Sequence, residues 1–292
     1  MKPWVPGLCC LLLAGAALAG GHDSASKHVQ ASMLVTGTIE VAPNGNVLQY
    51  TLDQPEKVPS GVTRLLAKTV PAWKFAPVVR DGKPVIARAP MGLRITAKPL
   101  GEGSYSVSVE SSWFGYFHDD EKHRASAEDF TYEHQERAAY PYGAAQAMVS
   151  GTVYVLVLVG RDGKVVDAMA RQVNLRALAS DSEMAVWRMR LGQAAVRALQ
   201  KDTFHVPTVG PDSGRPYWLV NIPVDFVLDG PGVPAAAGDE VYGQWQPYVP
   251  GPLQEPAWAE KQTAEKGVDA VPEGGSLLAN TSLHLLTPLG GS

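Results

Sequence analysis

The sequence predicts an α+β fold built from two units in succession, each a β-hairpin, one helix and a further strand, arranged as antiparallel sheet. Three observations predict it. Two segments, about 32–100 and 149–229, run through the same order of elements. Each contains a two-residue turn signal, Asn44-Gly45 and Asp162-Gly163, of the kind that closes a hairpin. Each then passes through a helical stretch and ends on an apolar strand carrying a proline, Pro90 in one and Pro223 in the other. Composition agrees with this reading. The chain is 45% hydrophobic and 18% charged, enough apolar residue for a packed core. Its 29 glycines and 23 prolines argue for many turns and against an all-helical bundle.

Residues 1–19 read as a secretory leader. Lys2 gives a basic start, Leu8 to Leu18 an apolar stretch, and Ala17-Leu18-Ala19 a cleavage site. Both cysteines, Cys9 and Cys10, fall inside it, so the mature chain is expected to have neither disulfides nor thiolate chemistry. Residues 20–31 form an N-terminal extension, and 32–114 the first unit. Its strand starts at Gly37-Thr38-Ile39, and Val62, Leu65, Leu66 and Val70 then mark one helical face. Pro71 lacks an N–H and should end that helix. Tyr105, Val107 and Val109 alternate with serines and predict an extra strand.

Residues 115–148 are polar and read as a connector with one short helix. The second unit spans 149–230. Val153, Val155, Val157 and Val159 alternate with Tyr154, Leu156 and Leu158, a strand apolar on both faces. Such a strand needs cover beyond the helix of its own unit, so the two units are expected to share a core or an extended sheet rather than sit as beads. Met184, Trp187, Leu191, Ala194, Ala195 and Ala198 predict a helix from Asp181 to Lys201, and Ser180 and Glu183 have capping-box spacing at its start. From Pro231 to Ser292, Pro and Gly make up 17 of 62 residues, which reads as a tail. Its aromatics, Tyr242, Trp245, Tyr248 and Trp258, predict that parts of it dock.

A formal net charge of −4 argues against a general nucleic-acid binder, and no apolar run of the mature chain is long enough to cross a bilayer. Neither a Gly-x-Ser-x-Gly elbow nor a His-Glu-x-x-His helix occurs. His118, His123 and His134 stand near carboxylates but match no closed metal-site spacing, and read as a solvated connector. Asp119-Asp120 and Asp239-Glu240 read as solvated turns. The expectation is a non-enzymatic chain with no cofactor and no metal. Arg188, Arg190, Arg197 and Lys201 make the outer side of the second helix basic, either a solvated face or a patch for an acidic polymer or peptide.

Trp73-Lys74-Phe75-Ala76-Pro77, followed by Asp81-Gly82-Lys83-Pro84-Val85, resembles the C-terminal domain of TonB-family energy transducers. In the second unit, Ala195-Val196-Arg197-Ala198-Leu199, Gly214-Arg215-Pro216 and Ile222-Pro223-Val224-Asp225-Phe226 look like a variant of the same pattern. It departs at Lys201-Asp202-Thr203-Phe204, where the Trp-basic-Phe run would stand. The resemblance implies a periplasmic, cofactor-free module that grips a short segment of an outer-membrane receptor as an added strand. A cleavable leader in place of an anchor implies a free periplasmic relative rather than a working transducer.

Proline cannot donate to a ladder, so the strands holding Pro90 and Pro223 are each expected to be an edge strand or to carry a bulge. The second edge is the candidate binding site. Trp218, Val220, Ile222, Val224 and Phe226 should face the core, leaving Tyr217, Leu219, Asn221, Pro223 and Asp225 toward a protein partner of the cell envelope. The competing expectations are that the chain's own tail covers this edge, with Leu283-His284-Leu285-Leu286 as the segment able to pair there, or that the edge is bare. An envelope protein that binds peptidoglycan through exposed Trp and Tyr is the alternative function.

Overall fold

The computed structural model describes residues 30–80, 82–101, 104–114, 116–117, 127, 130–210, 213–227, 242–256, 258, 275–278 and 283–289. The leader with Cys9 and Cys10, the extension up to residue 29, His118, His123, Asp119-Asp120 and Asp239-Glu240 lie outside the described residues. The fold is α+β, with few helices and antiparallel sheets.

The first sheet is built from β1 (Gln30–Val41), β2 (Val47–Leu52), β5 (Ala87–Gly101), β6 (Ser104–Phe114) and β13 (Gln246–Tyr248). β1 pairs with β5 along one side, and with β2 and β13 on the other. Met33, Val35, Ile39 and Val41 alternate inward with Met91, Leu93 and Ile95, and helix α1 (Ser60–Thr69) closes over them with Val62 and Leu66. As Pro71 requires, α1 gives way to a single 3-10 turn, Val70–Ala72. Trp73 and Phe75 then enter the same core, each edge-on to Phe114. A short ribbon, β3 (Val79–Arg80) with β4 (Lys83–Pro84), leads back to β5.

The second sheet runs β10 (Val165–Leu175), β9 (Gly151–Gly160), β12 (Tyr217–Phe226), β14 (Gly275–Leu278) and β7 (Tyr116–Phe117). Its core joins Val153, Val155, Val157 and Val159 to Trp218, Val220, Ile222 and Phe226 under helix α3 (Asp181–Leu199). Ser180 caps α3 with the expected reciprocal bonds: its hydroxyl accepts from the Glu183 N–H at 3.4 Å, and the Glu183 carboxylate accepts from the Ser180 N–H at 3.1 Å. Between the sheets in sequence lie β8 (Thr131–His134) and the short helix α2 (Tyr142–Gln146); β8 pairs with β11 (Thr203–His205), just past α3.

The hairpin turns are locked alike. Gly45 (φ +86°) and Gly163 (φ +75°) adopt the left-handed region, and a Cβ there would lie 2.0 Å from the Phe75 carbonyl oxygen and 2.1 Å from that of Phe204. The N–H groups of Phe75 and Phe204 bond the Gly45 and Gly163 carbonyls, each at 2.8 Å. In both places the chain leaving the helix is therefore pinned to the turn that precedes the helix.

The sheets remain separate, with separate cores, and meet through their other faces. This corrects the expectation of a shared core or sheet. On the first sheet that face carries Ser32, Arg94, Thr96, Ser111 and Trp113, with Trp113 opposite Gly92 in the β5–β6 register. On the second it carries Tyr154, Leu156, Leu219 and Asn221, all buried. Arg94 donates to the Tyr154 hydroxyl at 3.2 Å across the seam and stands over the Tyr248 ring. The layers therefore run α1, first sheet, second sheet, α3, which supplies the cover that the doubly apolar β9 requires.

Candidate functional site

The strand singled out by sequence, β12, is not a free edge. It pairs with β9 along its whole length, and on its outer side β14 covers Val220 and Asn221. Pro223 falls beyond that cover, opposite Tyr154, where β12 has one neighbour among the described residues. β5 behaves in the same way. It is flanked by β1 and β6 and so is no edge strand, but its register against β6 shifts at Arg94/Ile95 and Pro99/Gly101, the bulged alternative; Pro90 itself lies past the last β6 partner and Pro99 past the last β1 partner. Among the described residues, each of these prolines therefore sits where one side of its strand has no ladder partner, a place where a missing N–H is tolerated.

The side chains proposed to greet a guest are largely committed elsewhere. Of Tyr217, Leu219, Asn221, Pro223 and Asp225, Tyr217 is exposed, Leu219 and Asn221 are buried in the layer between the sheets, and Pro223 and Asp225 are half-buried. The alternation itself holds, since Trp218, Val220, Ile222, Val224 and Phe226 lie on the α3 side. The opposite face meets the first sheet instead of solvent. Asp225 accepts from the Arg176 guanidinium at 3.2 Å and bonds the Thr152 hydroxyl, so its charge is paired. What β12 offers a guest is main chain from Ile222 to Phe226, with Tyr217 at the far end.

The tail does cover part of β12, as expected, but through β14 and not through Leu283-His284-Leu285-Leu286. Leu285 bridges Phe75 rather than β12, with the Ala76 N–H on the His284 carbonyl and the Leu286 N–H on the Lys74 carbonyl, both at 2.8 Å. Tyr242 donates to the Thr36 carbonyl at 2.9 Å, and Tyr248 accepts from Asn174 at 2.9 Å, so these two aromatics do dock. Trp245 and Trp258 stay more than a third exposed.

Two polar sites were missed in the sequence. At the seam, Arg94, Thr152, Tyr154, Asn174, Arg176 and Tyr248 surround a cavity of about 20 Å³, room for one water and not for a substrate. The other is Asp202, buried just past α3, which accepts the Glu136 N–H at 2.7 Å. Burial pushes its carboxyl up to about 6, and it keeps the neighbouring Tyr132 phenol protonated, with burial again the larger cause. The position had shown itself only as a departure from the Trp-basic-Phe pattern. His134 lies on β8, 3.9 Å from the Glu136 carboxylate. Among the described residues, no three His, Cys, Asp or Glu side chains gather to hold a metal, and no helix is long and apolar enough to cross a membrane. No family model, curated protein or solved structure matches the chain.

Proposed function

We propose that this chain is a non-catalytic protein-interaction module of the periplasm, with two units resembling the TonB C-terminal domain. It holds an extended segment of an envelope or outer-membrane transport protein as an added strand. The observation that carries the reading is how the chain handles its own extended segments. β13 lies on β1, β14 on β12, β8 on β11 and Leu285 on Phe75, all by main-chain pairing. A surface that accepts strands so readily suits strand exchange with a partner. The shared hairpin, helix and return strand, with matching Gly–Phe locks, support the TonB-like reading. The leader-like start of the sequence supports export.

A photocrosslinking amino acid in place of Pro223, half-buried in the part of β12 that has no second strand among the described residues, tests this in the full chain in cells. Crosslinks to one short segment of an envelope protein are the expected result. Absence of any protein crosslink, together with retention of the purified chain on sacculi at moderate salt, would overturn it in favour of cell-wall binding.

A further inference from the structure

A different edge has chemistry of its own. β10 ends the second sheet, and the chain's segment 249–254 lies along the outer side of its C-terminal half. Leu175 and Val249 exchange main-chain bonds of 3.1 and 2.9 Å, and the Gln254 N–H reaches the Arg171 carbonyl at 2.8 Å. Gly251 sits so close that a Cβ would be 2.3 Å from the Val173 carbonyl oxygen. From Val165 to Ala170 the outer side has no main-chain partner among the described residues. There the Asp167 carboxylate turns back onto the Ala168 N–H at 2.8 Å, a self-capping that blunts the edge.

Beside this open stretch lies a groove of about 620 Å³ between β10 and α3. Helix α3 carries two apolar stripes. One, with Met184, Leu191, Ala195 and Ala198, is in the core. The other, Ala185, Met189, Gly192 and Val196, follows the same helical spacing but lines the groove, with Met189 53% exposed. Gly192 lets the helix close down on Ala170, where a Cβ would meet that of Ala170 at 3.1 Å. Among the described residues the groove wall holds three arginines and no carboxylate, Asp167 standing on the adjoining edge with its carboxylate on the Ala168 N–H, in a chain whose net charge is −4. Arg171 is paired with Glu255. Arg188 donates to the carbonyls of Val173, Val249 and Pro250, and the acid it senses is Asp181 at the start of the helix. Arg197 is exposed.

We infer that the edge of β10 from Val165 to Ala170, with the groove under α3, binds an extended acidic peptide. Its main chain continues the line of segment 249–254, its apolar side chains rest on Met189 and Val196, and its carboxylates meet Arg188 and Arg197. This rests on the strand-addition reading but assigns it to a surface other than β12.

The test uses the full chain, a fluorescent peptide of alternating Leu and Glu, and its Leu and Lys counterpart. The acidic peptide should bind at micromolar concentration, weaken with salt, and protect the amides of residues 165–170 from exchange. Arg197→Glu and Met189→Glu, both at exposed positions, should each weaken it by about tenfold. Equal binding of the two peptides, or of neither, overturns the inference. So does protection of 165–170 without peptide, which would mean the chain covers its own edge. Protection of residues 222–226 alone overturns this site and leaves the general strand-addition reading standing.

Discussion

Asp202 is the residue at which burial and charge conflict most clearly. Its carboxyl lies near 6 in the folded chain, above the ordinary aspartate range near 4, because burial disfavours the anion. A carboxyl raised in this way contributes stability that is full below about 4 and is lost as pH rises through about 6. Asp202→Asn keeps an oxygen to accept the Glu136 N–H and has no charge to bury. Urea unfolding of the two proteins at pH 5 and pH 7.5 should therefore show a difference between pH values that is smaller in the variant, by roughly 1 kcal/mol. An unchanged difference would mean that Asp202 ionises freely. Sequence could place Asp202 after a helix, but could not reveal that residues 134–136 fold over it. Gly45 and Gly163 were legible as turn residues from their Asn-Gly and Asp-Gly context. That each also makes room for a phenylalanine carbonyl some thirty to forty positions away was not.

At the scale of elements, local patterns were reliable where local physics decides. The capping box at Ser180, the start of α3, the 3-10 turn at Pro71 and the serine-alternating β6 all follow from spacing within a few residues. The prolines were read as marks of an edge or a bulge: β5 is flanked on both sides but shifts register at Arg94/Ile95 and Pro99/Gly101, and Pro223 on β12 has no second strand beside it among the described residues. β14 decides the state of β12. Deleting residues 271–292 removes the partner of Val220 and Asn221, so exchange of main-chain amides there should speed up, while residues 222–226, which have no partner on that side among the described residues, should change little. Unaltered exchange at 220–221 would show that β14 does not hold this edge in solution.

At the scale of the whole molecule, the two sheets are coupled by the layer between them. Leu156 and Leu219 form a small buried apolar cluster of their own on that face of the second sheet, with Leu158 packed against it. Leu219→Ala should cost about 2–5 kcal/mol, the usual range for a buried leucine. It should also loosen the joint: calorimetry is expected to give one transition for the parent chain and a broader or divided one for the variant. A parent chain that already melts in two independent steps would refute the coupling. By itself, the sequence determined the α+β class, the antiparallel strands, the positions of the hairpin turns and the main helix, and which face of β12 meets α3. These depend on periodicity, turn chemistry and capping, all of which act over a few residues. Only the tertiary structure decided what covers the opposite face, which strand edges stay open, and where the tail docks. Those outcomes are set by pairing between distant segments, such as Leu285 with Phe75, Tyr248 with Asn174 and Trp113 with Gly92. Main-chain donors and acceptors are alike in every residue, so no pattern along the chain names the segment that will satisfy them.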